Sequence, residues 1–377
     1  MIYKDFKDLK LSALGLGAMR LPVIEGDPAR IDEEAVAQMV TYAMEQGLNY
    51  YDTAWGYHSG QSELALGRAL GRYPRDSYLL ADKFPGYDLS NMDKVESIFA
   101  EQLRKCDVDY FDFYLFHNVC EMNIDAYLDE KYGIFNYLLE QKKNGRIRHL
   151  GFSVHGGIEV TKRFLEAYGH EMEFGQIQLN YVDWTFQKAQ AKVELLNEYK
   201  IPIWVMEPLR GGQLAALETE HAENLKKLRP RESIPAWAFR FIQSITGVKV
   251  VLSGMSNLEQ LKDNIETFKD EKPLDEIELD ALLKIADSMV SRIVLPCTSC
   301  GYCISHCPSQ LDIPALLALY NEHCFSKGGF RAPMALMAVA EEKKPGACQA
   351  CGSCEEVCPQ QIKISEAMSD FVAKLNS

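Results

Sequence analysis

Four residues in the first third of the chain, Asp52, Tyr57, Lys83 and His117, carry the side chains of a proton-transfer site. A phenol has a reference pKa near ~10 and is a poor acid at neutral pH unless a cation stands beside it, and that cation then needs a carboxylate of its own. Tyr57 is the phenol, Lys83 the cation and Asp52 the carboxylate. His117, held neutral, is a donor able to orient a carbonyl oxygen. Each alone has a plainer use, as a cap, a half-buried aromatic, a surface charge or a core histidine, but four distinct groups in one cleft fit catalysis better. A second set lies toward the C-terminal end: Cys297, Cys300, Cys303 and Cys307 precede a proline, and the same spacing returns at Cys348, Cys351, Cys354 and Cys358. Three thiolates at intervals of three residues wrap an iron–sulfur cubane, and the cysteine before proline reaches across to the other cluster. The expected ligand sets are Cys297, Cys300, Cys303 with Cys358, and Cys348, Cys351, Cys354 with Cys307, holding two [4Fe–4S] clusters. Zinc is the plainer alternative, although zinc sites use paired cysteines rather than three in one loop.

The elements that must position these groups follow from the pattern around them. The apolar runs at 48–51, 78–84 and 111–116 read as three successive strands, with Asp52, Lys83 and His117 at or just past their ends. Parallel strands closed into a barrel open all such ends onto one face. Further runs at 14–19, 149–154, 176–180, 203–206 and 248–253 bring the total to eight, each trailed by a segment of helical period within about 250 residues. Ser256 and Glu259 read as a capping box for the helix after the eighth. This alternation predicts a (β/α)8 barrel rather than an open doubly wound sheet, and no Gly-x-Gly-x-x-Gly turn follows the first strand. A helix at 275–290 ends the first domain, placed at 1–290. The second, at 291–377, has helical patterns at 314–322 and 333–342 between its cysteine motifs, which suits a small α-helical ferredoxin-like domain.

Over residues 10–270 the chain resembles the aldo-keto reductases, whose Asp/Tyr/Lys/His tetrad matches Asp52, Tyr57, Lys83 and His117 in order and spacing. The resemblance implies a nicotinamide dinucleotide, NADH or NADPH, bound by the later strand ends, and a small-molecule carbonyl or alcohol substrate. Ser153 and Gln178 stand where family residues hold the nicotinamide carboxamide. Met206, ahead of Leu209, replaces the tyrosine on which the ring usually stacks, and a thioether can still pack there. Arg210, Gly211 and Gly212 offer backbone donors and a cation to a pyrophosphate. Gly254 and Gln260 align with the family's basic residues for the NADP 2′-phosphate, so a dianion loses its charged partners and no strong NADPH preference is expected. Ser256 and Asn264 are the expected adenosine-side contacts.

A net charge of −14 over 377 residues excludes the basic surface that nucleic acid requires. Hydrophobic residues at 47% and charged ones at 25% describe an ordinary globular chain. No apolar run approaches the ~18 residues of a membrane span and the start lacks a signal-peptide plan, so a cytoplasmic location without membrane is expected. In a reducing compartment the clustered cysteines bind metal rather than pair, and Cys106, Cys120 and Cys324 are plain buried side chains. The expected function is hydride transfer between nicotinamide and carbonyl, with the clusters serving structure or electron transfer to a redox partner protein. The alternative is an electron-relay or docking subunit whose barrel is a non-catalytic scaffold. A hydride moves two electrons and a cubane one, and no flavin-binding motif is evident to divide the pair.

Overall fold

The computed structural model describes residues 1–376 apart from 292, 293, 298, 299, 302 and 359, and Pro359 of the second cysteine motif therefore lies outside the described residues. The chain divides into two compact units, Met1–Leu283 and Lys284–Ser377. The first opens with an antiparallel hairpin, β1 (Tyr3–Phe6) and β2 (Leu9–Ser12), in which Phe6 stands opposite Leu9. Eight parallel strands follow: β3 (Leu14–Gly17), β4 (Tyr50–Asp52), β5 (Leu79–Phe84), β6 (Phe111–Val119), β7 (Ile147–Val154), β8 (Phe174–Gln178), β9 (Ile203–Met206) and β10 (Val248–Ser253). Each pairs with its successor and β10 closes on β3, the (β/α)8 barrel read from the sequence. Strands buried on both faces read as continuous apolar runs, and β5, β6 and β8 are buried throughout.

Aromatic side chains fill the interior. The Trp204 ring lies 4.7 Å from Phe174, 5.7 Å from Phe113 and 5.2 Å from Phe6, centroid to centroid. Phe6 comes from the hairpin, so the hairpin plugs the end of the barrel where the strands begin. The sequence reading missed this hairpin, because its two-residue turn Lys7-Asp8 lacks the glycine that usually marks one.

Outside the barrel, Asp32 caps the helix Glu33–Glu45 by accepting the Ala35 amide at 3.0 Å. The helix Leu258–Thr267 corrects one expectation: Asn257, not Ser256, is its cap, accepting the Gln260 amide at 2.9 Å. Ser256 instead donates its hydroxyl to the Arg20 carbonyl at 2.9 Å. Among the described residues no helix is long and apolar enough to cross a membrane.

The second unit packs the helices Ile313–Phe325, Arg331–Met337 and Ile364–Leu375 around Leu316, Leu317, Leu336, Met368 and Phe371. Its two cysteine motifs are followed by the same backbone. Gln310 and Gln361 both take left-handed φ, 51° and 53°, and their amides bond the Cys307 and Cys358 carbonyls at 2.9 and 3.0 Å. The next residues, Leu311 and Ile362, then Ile313 and Ile364, are buried in pairs. Asn321 clamps both backbone groups of Leu295, at 2.9 and 3.0 Å, and so fixes the approach to the first motif.

At the lower rim of the barrel Glu173, just before β8, is surrounded by His149, Lys142 and Lys7. Burial alone would raise this carboxyl, but hydrogen bonds from His149, Lys142 and Lys7 outweigh it and hold the group well below the carboxylate range. A depressed carboxyl stabilises the fold fully above its unfolded pKa and loses that contribution as pH falls through the folded value. Glu173→Gln is therefore expected to destabilise the barrel by on the order of 2 kcal/mol at neutral pH. The deficit should shrink below pH ~4, where the unfolded carboxyl takes up its proton. Denaturant midpoints of both proteins across pH would check this, and a deficit that stays constant into acid would refute it.

Candidate active site

Asp52 ends β4 and is level with Ala81 of β5, which puts Lys83 two residues further along the same inward face. Lys83 Nζ donates to Asp52 Oδ1 at 2.6 Å and to the Thr53 carbonyl at 2.6 Å. The two side chains are 0% and 4% exposed, so the ion pair is screened from water. Burial would lower the Lys83 ammonium, but Asp52 and Tyr57 raise it, and the net direction is up. Burial pushes the Asp52 carboxyl up against the pull of Lys83. With the ammonium retained and bonded at 2.6 Å, an ionised pair is the arrangement that leaves no buried charge unbalanced.

Tyr57 lies in the turn after β4, half-buried, with Lys83 Nζ 4.9 Å from its ring centroid. Burial raises its phenol and Lys83 opposes that, leaving the group above its ordinary value. The cation thus moderates the phenol without making it more acidic than usual. His117, in β6, meets the Tyr57 ring edge-on at 6.0 Å, and Tyr87 approaches the same imidazole at 5.1 Å. Burial, then Lys83 and His155, hold His117 well below its usual range, so it is neutral. The turn that aims Tyr57 is built on two consecutive non-glycine residues with left-handed φ, His58 at 52° and Ser59 at 54°. The His58 side chain ties this turn down: Nε2 accepts the Leu21 amide at 3.0 Å, and Nδ1 therefore carries the proton given to the Pro28 carbonyl at 2.8 Å.

The residues expected to meet a dinucleotide lie on β7, β8, β9 and β10 or the loops after them. Ser153 Oγ accepts the Asn118 amide at 2.8 Å and keeps its own proton to donate. Gln178 gives its amide NH2 to Asp183 Oδ2 at 2.5 Å, and because a carboxylate only accepts, this fixes the amide's orientation. Its Oε1 is left buried without a partner. Met206 receives the Gln176 amide on sulfur at 3.6 Å. Arg210 is buried, its Nε bonded to Asp183 at 3.1 and 3.2 Å, so its guanidinium is turned inward rather than held open. Leu209 is half-buried and Gly211 exposed beside it. Gln260 Oε1 accepts the Ser256 amide at 2.8 Å, and Asn264 is buried with its amide on Ser253 Oγ at 2.9 Å. Asp183, Tyr87 and His58 escaped the sequence reading. Asp183 carries no motif, and its value comes from collecting Gln178, Asn180 and Arg210 around one buried carboxylate.

Among the described residues, the polar atoms buried without partners at these strand ends include Asp52 Oδ2, His117 Nδ1 and Gln178 Oε1. A buried unpaired group costs about 1–3 kcal/mol, so a ligand that satisfies such groups is the economical explanation. An amide-bearing, hydroxyl-rich ligand such as a nicotinamide nucleotide fits this donor and acceptor set.

In the second unit the cysteines gather around two small cavities. One is lined by Cys297, Cys300, Cys303 and Cys358, the other by Cys307, Cys348, Cys351 and Cys354. These are the crossed sets read from the spacing. Among the described residues no three His, Cys, Asp or Glu side chains close on a point as a single metal ion requires. Four sulfurs set among apolar side chains form the four-thiolate ligand set of a cubane. The Leu311 amide already points at Cys307 Sγ at 3.5 Å, the kind of contact that tunes cluster sulfur.

The model of the aldo/keto reductase family matches residues 13–287, and that of a 4Fe-4S dicluster domain matches residues 296–363. A probable aldo-keto reductase 1 of Glycine max is 27% identical over 233 residues, covering 59% of this chain and 64% of that protein, so the match spans less than two thirds of the soybean protein. An NADH-specific methylglyoxal reductase of Escherichia coli is 23% identical over 307 residues, 68% of this chain and 90% of its own length. Among solved structures, the aldo-keto reductase AKR11C1 of Bacillus halodurans, holo form, superposes with a TM-score of 0.62 at 23% identity over 76% of this chain and 96% of that one. An aldo-keto reductase of Klebsiella pneumoniae in complex with NADPH gives 0.58 at 18% identity over the same shares, and both show the fold alone.

The crossed cysteine sets make a prediction that single substitutions cannot imitate. Cys297→Ser combined with Cys358→Ser should lose roughly half the iron, no more than either alone, because both serve one cluster. Cys297→Ser combined with Cys307→Ser should lose nearly all of it. Iron quantification after anaerobic purification decides, and the reverse pattern would show uncrossed ligation.

Proposed function

The chain belongs to the aldo-keto reductase family and carries a 4Fe-4S dicluster domain C-terminal to its barrel in sequence, and from that premise we propose that it is a nicotinamide-dependent reductase of small carbonyl compounds. The observation that carries this reading is the buried Lys83–Asp52 pair set beneath the Tyr57 phenol. Bound at the strand ends, a reduced nicotinamide supplies a hydride to the carbonyl carbon. The oxygen then needs a proton, and Tyr57 is the donor placed to give it. Its raised pKa keeps the phenol protonated at neutral pH, the state a donor must be in. The Lys83 ammonium lies close enough to stabilise the phenolate left behind, and Asp52 keeps that ammonium charged and in place. His117, neutral, donates a hydrogen bond to the carbonyl oxygen instead of competing as an acid. In the oxidative direction the same groups return the proton. The carboxamide of the ring would be held by Ser153 and by Gln178 Oε1, with Met206 packed against it.

The dinucleotide we assign is NADH at least as readily as NADPH. Gly254 has no side chain and Gln260 is spent on the Ser256 amide, so neither offers a cation to a 2′-phosphate. The E. coli relative is named NADH-specific and the Klebsiella structure holds NADPH, so cofactor choice varies around this fold. In the second unit the first task of the clusters is structural: Cys303 and Cys354 belong to its hydrophobic core, and metal binding in so small a domain is folding energy.

Tyr57→Phe should cut carbonyl reduction by about 10²-fold or more while cofactor affinity and iron content stay as they are. Undiminished reduction would end the catalytic reading of the tetrad. Across pH the rate should lack an acid limb near the ordinary histidine value of ~6.5, because His117 is already neutral there. Fluorescence titration should find NADH no weaker than NADPH, and a strong preference for NADPH would overturn this assignment.

A further inference from the structure

We propose that Arg20, in the turn after β3, is the cation that binds the diphosphate of the dinucleotide. The inference rests on the nicotinamide reading above and adds a residue to it. Arg210, the arginine of the Arg210-Gly211-Gly212 loop, is withdrawn for this task, since its guanidinium is buried on Asp183. Arg20 stands in the opposite condition. Its side chain is 45% exposed, and its nearest acidic partner, Glu207 Oε1, is 3.9 Å from Nη2, beyond hydrogen-bond length.

Where Arg20 lies is set by its neighbours. The Arg20 carbonyl accepts the Ser256 hydroxyl at 2.9 Å, and the following amide, of Leu21, is taken by His58 Nε2 at 3.0 Å. The backbone is thus pinned from the loop after β10 on one side and from the turn after β4 on the other. The side chain runs along Gly254, where a Cβ would meet Arg20 Cβ, Cγ and Cδ at 3.1 to 3.2 Å. It ends beside Gly211, where a Cβ would stand 3.2 Å from Nη2. Gly254 thus leaves room for the arginine stem, while Gly211 is glycine for its own left-handed φ of 68°. They belong to the two loops expected to carry the dinucleotide, and Arg20 spans both. A guanidinium presents a planar fork suited to phosphate oxygens, and one pinned in advance loses little entropy on binding. In a chain of net charge −14 a local cation is also what lets a dianion approach.

The test is calorimetric binding of ADP-ribose and of adenosine to the anaerobically purified full chain. For Arg20→Gln, ADP-ribose affinity should fall at least about 10-fold, as loss of a charged hydrogen-bonding partner implies, with adenosine affinity unchanged. Arg20→Lys should recover part of the loss, and Gly254→Ala should weaken ADP-ribose with Arg20 intact by displacing its stem. If the unaltered chain binds neither ADP-ribose nor NADH, the nicotinamide reading falls and this one with it. If it binds both and Arg20→Gln binds them equally well, only the Arg20 assignment is overturned. An Arg20→Gln protein with normal ADP-ribose affinity but a raised KM for carboxylate-bearing carbonyls would overturn it too, moving Arg20 to the substrate side.

Discussion

A lysine with no exposed surface has to be neutralised where it stands, and the barrel is arranged around that necessity at Lys83. Its carboxylate comes from the adjacent strand, and the pair forms only when β4 and β5 keep the register that sets Asp52 level with Ala81. Side chains alternate along a strand, so a slip of one residue would turn Lys83 toward the helices and bring Asp82 to the mouth. Asp82 has its own partners on the helical side, the Gln102 amide at 2.9 Å and the carboxylate of Glu63, which Lys105 balances at 2.8 Å. Two neighbouring residues of β5 thus send ionisable groups to opposite faces, Lys83 as a cation and Asp82 with its carboxyl raised by burial and by Glu63, and each is satisfied in one register only. Both breaking the pair and slipping the strand would strand a buried charge, a far larger penalty than loss of a surface ion pair.

How much of this was legible beforehand depends on how local the signal is. Barrel strands are read well because burial on both faces demands uninterrupted apolar runs, and the cysteine sets because ligand spacing is a property of one short loop. Signals that compete between neighbours are read poorly. Ser256 and Asn257 are both good caps, and the choice falls to Asn257 because its extended backbone points the amide at the Gln260 N–H while Ser256 is drawn to Arg20. Arg210 looked like an open cation because nothing in its own loop announces Asp183, twenty-seven residues earlier. The hairpin at the chain's start was lost for want of a turn residue, although Phe6 fills the barrel floor.

At the mouth the structure departs from economy. His58, Ser59, Asn118, Glu207 and Arg210 all have left-handed φ without being glycine, and all sit at or just after barrel strands. Such residues cost about 1–3 kcal/mol each and persist only where their surroundings over-determine them. The Leu21 amide bonded to His58 Nε2, the His58 Nδ1 bond to the Pro28 carbonyl, and the Asn180 bond to the Glu207 carbonyl supply that constraint. The unpartnered Asp52 Oδ2, His117 Nδ1 and Gln178 Oε1 lie along the same rim. Unpartnered atoms occur in the aromatic interior too, at Tyr50 Oη and Trp204 Nε1, but at the mouth they coincide with strained backbone, the pattern of a surface shaped for something other than stability.

The two units answer to different electron counts. In the reaction we propose, each member of the tetrad moves a proton or holds a charge and none stores an electron, so that chemistry needs only a two-electron donor and one acid. A cubane takes one electron at a time. For current to pass between a hydride donor and such a cluster, a group that accepts a pair and releases it singly has to intervene, and none of the residues gathered at the strand ends can do that. Beside the cysteines the cavities are lined by apolar Leu317, Ile362, Ile364 and Met368 among others, side chains that anchor the helices. A cluster held there ties the unit's short helices together through its thiolate bonds, whether or not an electron ever reaches it.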